Sequence, residues 1–146
     1  MKDIAYSRMP LYSMVRETMD LSYGRNYLFL LFFEGTVEKG FYIDPYEENR
    51  LTMFQSCKEL EQKIERLIIC LQEQDRRGEL VKCCNRWIKR GLPENISAAL
   101  CFSVLPDGTW KGRIYCSSEG EESYFTGRHE LRELLKIKFC DHSDVE

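Results

Sequence analysis

The chain has 146 residues, of which 43% are hydrophobic, 31% charged and 12% aromatic. Disordered chains are poor in aromatic residues, so this composition indicates a globular protein, and the length suits one domain with its own core. The net charge of -3 excludes the strongly basic balance of a dedicated nucleic-acid binder. We predict a single domain over residues 1–146.

The N-terminal segment, residues 1–26, is predicted to be helical. Leu11, Met14 and Val15, followed by Thr18 or Met19, have helical spacing. We expect a helix over residues 10–21 that stops before Gly24.

A first β-β-β-α unit is predicted over residues 27–77. Its helix should begin at Ser56, because Glu59 three residues later completes a capping box. The apolar face of that helix carries Leu60, Ile64, Leu67, Ile68 and Leu71. The strands are predicted at residues 27–33, 39–44 and 51–54, with a turn at 34–35 and a polar loop at 45–49.

A basic helix is predicted at residues 79–89, within the connecting segment 78–97, and Gly91 and Pro93 should end it. Its apolar side carries Leu80, Cys84, Trp87 and Ile88. Its basic residues form a stripe that suits phosphates or an acidic partner surface, and the alternative is an ordinary solvated helix face. The residues are Lys82, Arg86, Lys89 and Arg90, with Arg76 and Arg77 just before the helix.

A second β-β-β-α unit is predicted over residues 98–140, followed by a polar tail at 141–146. Its first hairpin turns at Pro106-Asp107-Gly108, a sequence that favours a tight turn. Its helix should be capped at Thr126 or Gly127, with Glu130 following, and end near Lys138. The strands are predicted at residues 98–105, 109–116 and 122–125.

The two units resemble each other at an offset of about 71 to 73 residues. Lys39-Gly40 matches Lys111-Gly112, Phe54 matches Phe125, and both helices begin with the same order of signals. Generic strand-turn-strand-helix similarity is the alternative to a true repeat. We predict an α+β fold in which two β-β-β-α units form one compact antiparallel-sheet domain with additional helices. One unit cannot cover its own sheet, so the two should pair, with the sheet continuous or face to face.

Chemical motifs are scarce. The sequence contains no phosphate-binding loop, dinucleotide fingerprint, nucleophile elbow or zinc-protease motif. The histidines are His129 and His142, and nothing selects Cys101 or Cys116 as a nucleophile beside one of them. Neither Cys83-Cys84 nor the pair Cys140 and His142 has the spacing of a structural zinc site. We therefore predict no enzymatic activity, no cofactor and no metal.

The seven cysteines include no C-x-x-C pair, and residues 1–9 contain no apolar leader segment. The longest apolar run, residues 27–33, is too short to span a bilayer. We predict a reduced, cytoplasmic protein whose cysteines are mostly core residues. Tyr42, Tyr46, Tyr115 and Tyr124 lie on or near strands, where they suit either base stacking or ordinary half-buried packing.

Residues 99–137 resemble short, mostly uncharacterised bacterial mobile-element proteins that have a W-x-G hairpin and an E-L-x-x-L helix. The matching residues are Trp110, Gly112, Phe125, Glu130, Leu131 and Leu134. A more remote resemblance is to anti-CRISPR inhibitors, some of which look like the PC4 type of single-strand-binding fold. Such inhibitors commonly occupy the surface of a nuclease, which implies a protein partner and assigns no catalytic residue.

Our leading hypothesis is a non-enzymatic regulator or inhibitor of a protein partner, such as an anti-CRISPR-type inhibitor of a bacterial defence nuclease. Its acidic loops would imitate phosphates. The alternative is a nucleic-acid-binding protein that uses the basic helix at residues 76–90. No membrane contact is expected, and an exposed edge strand leaves a homodimer open. The acidic loop residues are Glu47, Glu48, Glu119, Glu121 and Glu122.

Overall fold

The computed structural model of the protein describes residues 8–20, 22, 25–34, 36–47, 50–74 and 76–140. Within them, one antiparallel six-stranded sheet runs in the order β3-β2-β1-β4-β5-β6. This continuous sheet confirms the predicted α+β class and decides between the two ways of pairing the units. The strands are β1 (Tyr27–Glu34), β2 (Thr36–Asp44), β3 (Arg50–Phe54), β4 (Ala98–Val104), β5 (Trp110–Cys116) and β6 (Glu121–Thr126).

Four α-helices lie in the described part of the chain, and each starts or ends near a predicted boundary. The first helix ends at Met19, two residues before the predicted end, and the expected stop at Gly24 lies outside the described residues. The last helix continues beyond Leu135 as a π-helix, Lys136–Cys140. The helices are α1 (Met9–Met19), α2 (Cys57–Glu73), α3 (Arg77–Arg90) and α4 (Arg128–Leu135).

The helices cover both faces of the sheet. In α1 the Thr18 hydroxyl lies 3.5 Å from the Cys101 sulfur in β4. In α4 the Arg128 guanidinium lies 4.3 Å above the ring of Trp110, which stacks on Phe102. Because successive side chains of a strand point to opposite faces, Cys101 and Phe102 face opposite ways. α1 and α4 therefore pack on opposite faces.

One face carries α1 and α3, the helices before and between the units, and the other face carries α2 and α4, the helices that end the units. Arg77 at the start of α3 donates to the carbonyl oxygens of Thr18 and Met19 at the end of α1. On the other face, Arg132 of α4 lies 2.7 Å from a Glu61 carboxylate oxygen of α2. The central strands β1 and β4 are thus buried on both sides, which explains the continuous apolar run in β1.

The register of the sheet supports the repeat seen in the sequence. Phe29 pairs with Leu100, its counterpart 71 residues later, so a local two-fold axis passes between β1 and β4. Gly40 pairs with Phe54, and Gly112 pairs with Phe125 in the same way. The two units are therefore arranged symmetrically about the centre of the sheet.

The two helices that end the units also begin alike. Ser56 caps α2 by accepting a bond from the backbone nitrogen of Glu59, as the capping box predicted. The Glu59 carboxylate accepts from the nitrogen of Gln55, and Glu130 accepts from Thr126 in the same manner. Gly127 occupies the cap position of α4 and has a positive φ of 93°.

Candidate functional site

The solvent face of α3 carries the predicted basic stripe. Leu80, Cys83, Cys84 and Trp87 are buried, which leaves the opposite side of this helix in solvent. Lys82 lies 3.9 Å from Glu79 in an exposed ion pair. Among the described residues, none forms an ion pair with the other three cations. We call the four exposed residues the cationic face: Lys82, Arg86, Lys89 and Arg90.

The two arginines before this stripe have structural contacts. Arg76 pairs with Glu47 and donates to the Tyr46 carbonyl oxygen at 3.2 Å. Arg77 donates to the last carbonyl groups of α1 at 2.9 and 2.8 Å. Both guanidinium groups therefore hold neighbouring elements together, and the predicted six-residue cluster is not one continuous unpaired surface.

Positive charge is concentrated on the face of the sheet that α1 and α3 cover. Residues 8–20 and 77–90 contain seven lysines and arginines against three aspartates and glutamates. Because the whole chain has a net charge of -3, the remaining residues have a net charge of -7. The cationic face is thus a local basic surface on an acidic molecule.

The predicted acidic loops do not come together. Each neighbouring strand pair is antiparallel, so β2 and β5 end at opposite ends of the sheet and carry their loops there. Glu47 pairs with Arg76, and Glu119 pairs with Lys138 at 2.7 Å. Glu122 pairs with Arg113 at 3.4 Å, Glu121 is exposed, and Glu48 lies outside the described residues. The loops do not form one anionic surface.

Of the two roles expected for the four strand tyrosines, three of these residues have packing and do not present a ring for stacking. Tyr42, Tyr46 and Tyr115 are buried, because helices or loops cover both faces of the sheet near them. Tyr124 on the edge strand β6 is different, since 70% of its surface is exposed. It is the member of this group that is available for stacking.

The thiols have the character of core residues. Cys83, Cys84, Cys101 and Cys116 are buried, as predicted. Burial raises the pKa of Cys84 to about 12 and also raises the pKa of Cys101, which keeps both thiols protonated at neutral pH. No group of three histidine, cysteine or acidic side chains suited to a metal ion occurs among the described residues.

A cleft of about 480 Å³ lies beside α1 on the outer strands of the second unit. Arg113 on its floor lies 2.5 Å from Glu17 of α1 and 3.4 Å from Glu122 of β6. Sequence reasoning missed this cleft, although the aligned repeat places Arg113 where the first unit has Phe41. The lining includes Glu17, Cys101, Ser103, Lys111, Arg113, Tyr124 and Thr126.

Comparison with known proteins adds no family to these observations. No family model matches the chain, and no curated protein or solved structure is significantly similar to it. None of the described helices is both long and apolar enough to cross a lipid bilayer.

Proposed function

We propose that the protein is a non-enzymatic binding protein that regulates or inhibits a protein partner by docking the cationic face of α3 on an acidic surface. The observation that carries this proposal is the concentration of exposed positive charge on α3, three members of which have no ion-pair partner among the described residues. Charged patches of this kind steer association and select partners of opposite charge.

The cationic face costs the fold some stability. Lys82 and Arg86, and also Arg86 and Arg90, are four residues apart, so each pair of like charges lies on one side of the helix. Such pairs destabilise a helix by roughly 0.2–0.5 kcal/mol each. Lys89 and Arg90 recover part of this because cations are favourable in the last turn of a helix. An exposed stripe that contains repulsive pairs fits a binding surface.

A protein partner suits the charge distribution better than an extended nucleic acid does. The residues outside α1 and α3 are net acidic, so they repel a long polyanion that reaches beyond the cationic face. The aromatic residue of this helix, Trp87, is buried and offers no stacking surface. A compact acidic patch on a protein can contact α3 and avoid the acidic remainder.

Nucleic-acid binding through the same four cations is the second candidate. Arg86 and Lys89 favour it, since both are exposed and form no ion pair with the residues that the structure describes. Inhibition of a bacterial defence nuclease, which the resemblance to anti-CRISPR inhibitors suggests, is one form of the first proposal. In that form the contact would be made by α3, since the separated acidic loops do not support phosphate mimicry.

The test compares the wild type with an R86E/K89E variant and with a control variant, K58E/R66E, in which two exposed cations of α2 are reversed. Fluorescence anisotropy with labelled single-stranded DNA, duplex DNA and RNA is measured at low and physiological salt. We expect no binding that depends on the cationic face, so any binding should be the same in the wild type and in R86E/K89E. Salt-sensitive binding that R86E/K89E abolishes would replace the proposal with its nucleic-acid alternative.

A second measurement tests the protein partner directly. Nuclease-treated host lysate is passed over each immobilised variant, and bound proteins are quantified by mass spectrometry. We expect a protein retained by the wild type and K58E/R66E and lost by R86E/K89E. A retained set that is the same for all three proteins would contradict a role for α3.

A further inference from the structure

The side chains on the floor of the cleft in the second unit differ in charge and chemical character from one end to the other. Two cross-strand pairs that line the cleft present their side chains on the same face as Cys101: Lys111 with Thr126, and Arg113 with Tyr124. At about 3.3 Å per residue, the two pairs are about 7 Å apart. The cleft therefore has a cation at one end, and at the other an aromatic ring beside the carboxylate of Glu17, which Arg113 contacts.

The cation, the ring and the carboxylate can each contact a ligand, and they differ in exposure and in their contacts with the protein. Lys111 is exposed and forms no ion pair with any described residue. Tyr124 presents an open ring. Glu17 is about one-third exposed where it lines the cleft, and Arg113 holds it in place from below. A carboxylate fixed in this manner accepts N–H donors without having to be ordered first.

The first unit shows that the fold does not require these groups. In the first unit, Phe41 and Met53 occupy the positions that Arg113 and Tyr124 have in the second. Phe41 stacks on Phe32, with 4.7 Å between the ring centroids. Burying a guanidinium between two carboxylates gives no general advantage in stability over apolar packing. The polar floor of the second unit is therefore not needed for folding and is open to another role.

We propose that this cleft binds a nucleoside phosphate, with the base stacked on Tyr124, the phosphate at Lys111 and the N–H groups of the base directed to Glu17. The ligand has a group for each of these: an anion for the cation, and a planar ring with hydrogen-bond donors on its edge for the aromatic side chain and the carboxylate beside it. A cleft of about 480 Å³ lies in the usual range for small-molecule sites. The same chemistry is present in a free nucleotide and in one residue of a single strand. This site is separate from the cationic face of α3.

Isothermal titration calorimetry with the full chain tests the proposal. The titrants are AMP, GMP, CMP and UMP, their nucleosides, inorganic phosphate, and six-residue single strands of DNA and RNA. We expect one-to-one binding of at least one nucleotide or strand and weaker binding of phosphate alone. Y124A should weaken binding about 10-fold, because alanine removes one base-stacking contact, whereas Y124F should retain it. K111A should weaken nucleotide binding and leave the corresponding nucleoside unchanged.

The repeat supplies matched controls. M53A and K39A alter the equivalent positions of the first unit and should leave the affinity unchanged. Binding of a strand but of no mononucleotide, lost in Y124A, would identify a nucleotide within a strand as the ligand. Binding that Y124A leaves intact, equal binding of inorganic phosphate, or no binding at millimolar concentration would overturn the proposal. Strand binding lost in R86E/K89E but kept in Y124A would assign nucleic acid to α3 and also remove the cleft proposal.

Discussion

At the scale of single residues, two glycines allow the strands to pass close to each other. A Cβ atom at Gly112 would lie 2.1 Å from the Cys101 carbonyl oxygen, and one at Gly40 would lie 2.0 Å from that of Phe32. We expect G40A and G112A each to lower the free energy of unfolding by about 2–3 kcal/mol, since backbone atoms must move apart.

Gly78 provides the control for this prediction. It lies in the first turn of α3, and a Cβ atom added to it would have no other atom within 4 Å. G78A should be neutral or stabilise the protein by up to about 1 kcal/mol, because alanine is the better helix former. Urea denaturation of the three variants measures the difference. Similar losses in all three would show that close packing is not the cause.

The buried carboxyl of Asp44 gives a prediction about pH. Burial raises its pKa, and the backbone nitrogen of Tyr46 donates to it at 2.9 Å. The folded protein therefore binds a proton here more readily than the unfolded chain does. Stability from this group is present at low pH and falls as pH rises from about 4 to the raised folded pKa.

D44N should remove this dependence and stabilise the protein at pH 7, since an amide oxygen can still accept from Tyr46. Asp107 is a suitable comparison, because hydrogen bonds from Thr109 lower its pKa. D107N should instead lose stability that the wild type has above pH 4. Urea midpoints measured from pH 4 to pH 8 show whether each substitution raises or lowers the stability of the protein. A stabilising D107N together with a destabilising D44N would refute both assignments.

At the scale of elements, α2 and α4, the helices that end the two units, have N-cap residues of different chemistry. Ser56 has an extended backbone and a bonding hydroxyl, whereas Gly127 has a φ of 93°, which is unfavourable for any side chain. Copying serine from the first unit should therefore harm the second. We expect G127S to cost about 1–2 kcal/mol and S56G only a few tenths. Thermal unfolding of both variants checks this order, and a stabilising G127S would contradict it.

Much of the element order was predictable from sequence because its signals are local. The capping box at Ser56, the turn at Pro106 and the paired glycines depend on short stretches of chain. The burial of Tyr42 and Tyr115 was not predictable in this way, since it depends on which helix covers which face of the sheet. The ion group around Arg113 also escaped detection, because Glu17 reaches it from a helix 96 residues away in the sequence.

At the scale of the whole molecule, the features that the two units share are not the features that we propose to bind ligands. The two units share register, glycines and helix starts, and these features hold the sheet together. The candidate binding groups do not follow the symmetry. The cationic face lies on the connecting helix, and the polar cleft occurs where the first unit is apolar. The repeat thus explains the fold, and the binding surfaces that we propose lie where the two units differ.

The shared sheet also predicts that the two units unfold together. β1 pairs with β4 at the centre, and Arg132 of the second unit contacts Glu61 of the first. The two tryptophans report on different layers, since Trp87 is in α3 and Trp110 faces α4. In W87F and W110F the remaining tryptophan should give the same urea midpoint as circular dichroism of that variant. A Trp110 transition that precedes the loss of helical signal would show that the second unit unfolds first and that the central strand pair does not couple the two halves.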